Sequence, residues 1–182
     1  MRLAALSAAA HRLPPFKLDA THTDSNSRAM PYEFKAVRRV EFSETDMAGI
    51  VHFANCFRYM ETAEHGFYRS LGFSVTLNNF EPPLGFPRVH AACDYKKPLR
   101  FEDVLEIHLL VKEKRSRVLN YLFRFNKLPR EGTKDSPILV ATGVLTVVCV
   151  AHNRDGKMEA VSIPAALAEK IEVAPVELLQ TT

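Results

Sequence analysis

The stretch of this 182-residue chain best equipped for chemistry is Glu44-Thr45-Asp46-Met47-Ala48-Gly49-Ile50-Val51-His52-Phe53-Ala54-Asn55. Asp46 is a lone carboxylate. Gly49 can take a positive φ or let a substrate come close to the backbone, although a plain turn uses glycine equally well. Both stand just before residues with helical spacing. The first N–H groups of a helix have no intrahelical partner, so they can stabilise a developing oxyanion. A carboxylate facing such donors is a candidate hydrolytic site. The same Asp46 also has a simpler use, capping backbone groups in a strand-to-helix turn.

Two segments of different period flank this turn. Before it, Phe34, Ala36, Val40 and Phe42 fall on every second position, interrupted only by Arg38, as on a half-buried strand. After it, Cys56, Met60, Ala63, Phe67 and Leu71 recur at spacings of three and four, which predicts a helix with one apolar stripe. Asn55 suits the N-cap of that helix, Glu61 and Glu64 lie in its first half, and Gly72 stops it. Asn78-Asn79 and Pro82-Pro83 mark an irregular connection. Val89, Ala91, Cys93 and Tyr95 then alternate with Arg88, His90, Asp94 and Lys96 until Pro98. Leu105 to Val111 and Leu119 to Phe125 repeat the alternation on either side of Lys114-Arg115-Ser116, which predicts a hairpin.

Ile138 to Val150 is almost continuously apolar, as in a strand buried on both faces at the centre of a sheet. Gly143 within it marks a bulge or a close approach. Asp155-Gly156 signals a turn after which Met158–Val161 pairs back as a short edge strand. Pro164 suits the first position of a brief helix, Ala165 to Lys170. A strand, one long helix and then four or five antiparallel strands is an α+β order.

The residues Asp46-Met47-Ala48-Gly49-Ile50-Val51, then Phe53, Asn55 and Arg58-Tyr59-Met60-Glu61, resemble the signature of the 4-hydroxybenzoyl-CoA thioesterase family. The resemblance implies the hotdog fold, an antiparallel sheet of five to six strands wrapped around one long helix. It implies hydrolysis of an acyl-CoA thioester to free acid and coenzyme A. Asp46 would act as nucleophile or as general base, two routes that stay open. The backbone N–H of Phe53 would polarise the thioester carbonyl, and Gly49 would complete the catalytic turn. His52 lies one position before the place where some relatives carry a functional histidine, so lining the pocket or an interface is its better role. Asn55 and Phe57 join it as substrate-binding candidates. Lys114, Arg115 and Arg117, around the hairpin, would meet the nucleotide phosphates of coenzyme A, with a solvated hairpin tip as the alternative. Glu61 and Glu64 stand on the helix where other hotdog thioesterases place a carboxylate, but the intact Asp46 motif makes a solvated or subunit-bridging role the better reading. Members of the family assemble as dimers of dimers, which implies a homotetramer. Two other readings remain: a hotdog dehydratase acting on acyl thioesters, and a non-catalytic acyl-CoA binding module.

Composition bounds the rest. A mass of 20.5 kDa with 47% hydrophobic and 25% charged residues suits one globular domain. A net charge of +3 gives no case for nucleic acid as a partner, and no apolar run approaches membrane-spanning length. Cys56, Cys93 and Cys149 fall at apolar positions of a helix and two strands, as core thiols of a cytoplasmic protein do. No spacing of His, Cys, Asp and Glu resembles a metal site, and no cofactor is expected. Residues 1–31 show no sustained period. They read as a disordered tail or an over-extended start with Met30 as initiator, and a transit peptide is also conceivable. The domain is expected over residues 32–171, with 172–182 as a C-terminal tail.

Overall fold

Alternation in the two halves of the predicted hairpin becomes the middle of a sheet. The structure, a computed structural model, describes residues 32–78, 80–130, 132–152 and 156–180. What was expected of residues 1–31, and of the first part of the Asp155-Gly156 turn, lies outside them. Strand β1 (Glu33–Arg39) leads through a 3-10 turn (Phe42–Glu44) to helix α1 (Asn55–Ser70). Strands β2 (Leu84–Gly85), β3 (Arg88–Tyr95), β4 (Val104–Lys114), β5 (Val118–Lys127), β6 (Ile138–Val148), β7 (Val150–His152) and β8 (Met158–Ala160) follow. Two short helices, α2 (Ala165–Ala168) and α3 (Val176–Gln180), complete the order. Five strands form an antiparallel sheet in the order β1-β4-β5-β6-β3, and β2-β7-β8 form a small second sheet.

Helix α1 packs on one face of the larger sheet. Tyr59, Met60, Ala63, Phe67 and Tyr68 are wholly buried, against Leu105, Ile107 and Leu109 of β4 and Tyr121, Phe123 and Phe125 of β5. Each such side chain contributes roughly 1.5–3 kcal/mol by leaving water. Two glycines let the layers close. A Cβ on Gly66 of α1 would overlap the ring of Phe34, and one on Gly143 of β6 would overlap Sδ of Met60. Gly143 is therefore the close approach rather than the bulge. Gly72, with φ +83°, turns the chain out of α1.

Four local expectations change. Phe42 leaves the strand pattern: it sits in the 3-10 turn and is largely exposed. Asn55 is the first residue inside α1 and not its N-cap. Ala54 takes that place, with no side-chain cap. The apolar run 138–150 is not buried on both faces. β5 is the central strand, and β6 beside it alternates buried Ala141, Gly143, Leu145 and Val147 with the only partly buried Thr142, Val144, Thr146 and Val148, because the chain has one helix layer and covers one face. Pro164 is the N-cap of α2, which ends at Ala168. Beyond residue 171 the chain stays on the sheet: Ala174 N–H donates to the Val111 carbonyl at 2.8 Å, and Arg124 donates to the Leu178 carbonyl at 2.5 Å.

Candidate active site

The turn at Asp46 is built by its own backbone. Asp46 N–H donates to the Ile50 carbonyl and Gly49 N–H to the Asp46 carbonyl, both at 2.9 Å, and Thr45 bridges to Val51. Gly49 closes this tight loop with φ +71°, a conformation that a Cβ would strain. Asp46 Oδ1 accepts the Ala48 N–H at 2.8 Å, so the capping role is real. The second carboxylate oxygen has no partner among the described residues.

The chain after the turn is anchored twice. Val51 N–H donates to the Leu99 carbonyl at 2.8 Å, which ties it to the segment following β3. The Glu44 carbonyl accepts both His52 N–H, at 2.9 Å, and the Asn55 side-chain amide, at 2.7 Å. Asn55 is thus a buried brace across the turn. Glu44 itself is paired with Arg38, whose guanidinium lies over the Tyr59 ring at 4.4 Å. Phe53 stands two residues before α1, and its N–H donates to no group among the described residues.

Asp46 and Phe53 open on one cavity of about 490 Å³. Its walls are Ile50, Val51, Cys56, Tyr95, Lys96, Lys97, Pro98, Leu99, Val140 and Ala141. Most of this lining was not legible as a site beforehand. Lys96 and Lys97 both donate their N–H groups to the Val140 carbonyl, at 2.8 and 3.0 Å, which pins the end of β3 beside β6. Pro98 signalled the end of a strand, but nothing local shows that this end lies over Asp46.

The other expected residues do not line this cavity. Gly49 shapes the turn, with Arg100 Nη1 3.9 Å from where its Cβ would stand. The His52 ring packs on Phe53, centroids 4.5 Å apart, and its Nδ1 accepts the Ala54 N–H at 3.3 Å. Phe57 packs against the core. Lys114, Arg115 and Arg117 lie at one end of the β4–β5 hairpin, about 33 Å of strand from Val104 at the other, where the Val40 N–H donates to the Asp103 carbonyl at 2.9 Å. Lys114 donates to the carbonyls of Ala168, at 3.0 Å, and Ile171, at 2.6 Å, and Arg115 pairs with Glu113 at 2.7 Å. With Ser116 and Ser162, Lys114 and Arg115 line a separate cavity of about 340 Å³.

Several titratable groups are shifted by their surroundings. Glu64 of α1 is buried; burial pushes its carboxyl up to about 7, against the pull of Arg88. The interaction between the Cys56 and Cys93 thiols holds Cys93 below the ordinary thiol value and, together with burial, pushes Cys56 well above it. Among the described residues no group of His, Cys, Asp and Glu could hold a metal ion, and no helix is long and apolar enough to cross a membrane.

The profile of the thioesterase-like superfamily matches residues 40–171, from the end of β1 through α2. This chain belongs to the thioesterase-like superfamily. Its five-stranded antiparallel sheet with one long helix is the hotdog fold of that superfamily. A putative esterase of Aquifex aeolicus (strain VF5) is 45% identical over 84 residues, 46% of this chain and 63% of its own length. A 1,4-dihydroxy-2-naphthoyl-CoA hydrolase of Prochlorococcus marinus (strain NATL1A) is 30% identical over 97 residues, 50% of this chain and 65% of its own. The chain thus spans a little under two thirds of the length of these curated relatives. Among solved structures, the gentisyl-coenzyme A thioesterase BH1999 superposes with a TM-score of 0.60 at 30% identity, covering 73% of this chain and 98% of that one.

Proposed function

We propose that this protein hydrolyses the thioester of an acyl-coenzyme A to free acid and coenzyme A, with no metal or cofactor. The observation that carries the reading is that Asp46 and Phe53, whose N–H has no partner among the described residues, line one cavity of about 490 Å³. The N–H would donate to the thioester carbonyl oxygen as charge develops there. Asp46 then serves by one of two routes. As nucleophile, its free oxygen attacks the carbonyl carbon, the C–S bond breaks, coenzyme A leaves as thiolate, and water cleaves the resulting anhydride. As general base, it takes a proton from the water that attacks. Both routes end in the same products.

The cavity walls fit an acyl group that is flat and largely apolar, since Ile50, Val51, Pro98, Leu99 and Val140 surround it with Phe53 and Tyr95. That agrees with the aromatic acyl groups in the names of the hydrolase and thioesterase relatives. His52 packs on Phe53 of this wall, Asn55 braces the turn through the Glu44 carbonyl, and Phe57 packs against the core. Lys96 and Lys97 stand on the cavity within the same chain. Lys114, Arg115 and Arg117 would reach a nucleotide there only from a second copy of the chain. A homo-oligomer, a dimer of dimers in the cytoplasm, supplies such a copy. β3, an exposed edge strand next to the cavity, is the natural place for two copies to pair.

The test is release of free thiol from a panel of aromatic, branched and linear acyl-CoAs. Turnover with a preference for aromatic acyl groups is expected. Binding without thiol release would favour a non-catalytic module, and loss of water from a hydroxyacyl-CoA would favour a dehydratase.

A further inference from the structure

Two consecutive peptide groups, His52–Phe53 and Phe53–Ala54, carry four backbone polar groups beside the cavity. Three of them are held. The His52 carbonyl accepts the Asn55 N–H at 2.9 Å. The Phe53 carbonyl accepts the Tyr95 hydroxyl at 3.0 Å, and the Cys56 N–H at 3.3 Å. The Ala54 N–H donates to His52 Nδ1 at 3.3 Å. The fourth is the Phe53 N–H, left for a ligand.

We infer that Tyr95 and His52 are positioning residues that clamp the Phe53–Ala54 peptide from its two ends and so, through the shared Cα of Phe53, limit rotation of the adjoining His52–Phe53 peptide that carries the Phe53 N–H. The inference rests on the proposed thioesterase reading only for what that N–H meets. Its physical basis is angular. A hydrogen bond weakens steeply once its angle falls below about 120°, so a donor on a loop is worth little unless the peptide planes around it cannot rotate. Here the loop is exposed and no side-chain cap starts α1. The bonds of the Val51 and His52 N–H groups hold the chain before Phe53, and Tyr95, which comes from β3, 42 residues further on, adds the hold after it from outside the loop. Its ring is half exposed, so burial of the ring is not its main contribution. The His52 contact repeats the geometry of Asp46, whose Oδ1 takes the N–H two residues on. To accept, the His52 ring must be neutral with its proton on Nε2.

Both residues act outside the chemistry itself. The Tyr95 hydroxyl links the end of β3 to the residue that carries the oxyanion donor. The comparison of Tyr95→Phe, His52→Phe and His52→Asn tests it. The first two keep the rings and delete the polar contacts. Asn can accept the same i+2 N–H, as in an Asx turn. Tyr95→Phe and His52→Phe are expected to lower kcat about 5- to 30-fold, short of the 10²–10³ for losing a whole oxyanion donor. KM should change less than about twofold, and His52→Asn should restore most of kcat.

Amide exchange in ¹⁵N-labelled protein supplies a readout independent of activity. The Ala54 N–H should exchange at least about tenfold faster in His52→Phe and in Tyr95→Phe than in the unaltered protein, and at near the unaltered rate in His52→Asn. Unchanged Ala54 exchange in both Phe variants overturns the clamp, and so does a kcat within twofold of the unaltered protein in both. If the unaltered protein releases no thiol from any acyl-CoA, the reading of the function falls, while the exchange of Ala54 still decides the clamp.

Discussion

Arg88 at the start of β3 reaches the carboxylate of Glu64 in the middle of α1 at 2.6 Å, and that carboxylate is 1% exposed. Glu61, one turn earlier and half exposed, shares the same guanidinium at 3.2 Å. The contact latches the helix to the edge strand of the sheet. Burial nevertheless wins over the ion pair and raises the Glu64 carboxyl from 4.5 to about 7.

That shift sets a pH dependence. A carboxyl raised on folding binds its proton more tightly in the native than in the unfolded chain between about pH 4.5 and 7, so stability falls as pH rises through that window. The Glu64 contribution to this loss is at most about 3 kcal/mol. Glu64→Gln should flatten the profile: its urea midpoint at pH 8 should equal or exceed that of the unaltered protein, and the two should converge near pH 5. Parallel profiles in the two proteins would show that Glu64 is not the titrating group.

Asp46→Asn tests the chemistry. The amide oxygen can still accept the Ala48 N–H, so the turn is kept, while the charge and most nucleophilicity go. The protein should fold, assemble and bind acyl-CoA, with kcat down by roughly 10²–10⁴. The thermal midpoint should not fall and can rise, since catalytic groups often sit at some expense of stability. Near-normal turnover would move attention to Glu61, Glu64 or His52.

The hairpin cations separate by what they touch. Lys114→Met removes two hydrogen bonds to the Ala168 and Ile171 carbonyls. A loss of about 1–3 kcal/mol follows, seen as a drop of several degrees in the thermal midpoint. Arg115→Ala and Arg117→Ala should instead raise KM for acyl-CoA modestly at low salt, with the effect fading as salt is added. An unchanged KM in both would place the nucleotide elsewhere, with Lys96 and Lys97 the next pair to replace.

Gly143→Ala probes the layer spacing. The new methyl would overlap Met60 Sδ, and overpacking of this kind typically costs about 1–3 kcal/mol. Met60→Ala in the same protein vacates the space, so the double variant should lose less than the sum of the singles in urea unfolding. Strict additivity would mean that the two residues do not compete for one volume.

The sequence by itself determined the parts that repeat locally. The stripe from Cys56 to Leu71 had to be a helix with one buried face, and the alternation at Leu105–Val111 and Leu119–Phe125 had to be paired strands. Their periods record directly which side of each element meets the core. The turn motif at Asp46 was equally legible, because its carboxylate, glycine and helix start are neighbours in the chain. Only the tertiary structure decided what stands across from that turn. The bond from Val51 N–H to the Leu99 carbonyl brings Tyr95, Lys96 and Lys97 over Asp46, and Tyr95 onto Phe53, across more than 40 residues. Register and helix–sheet packing set that meeting, and neither leaves a local period to read. The same reason explains the partners of Lys114 and the one-sided burial of β6. Each residue's type was visible in its own segment, but its neighbour belonged to another.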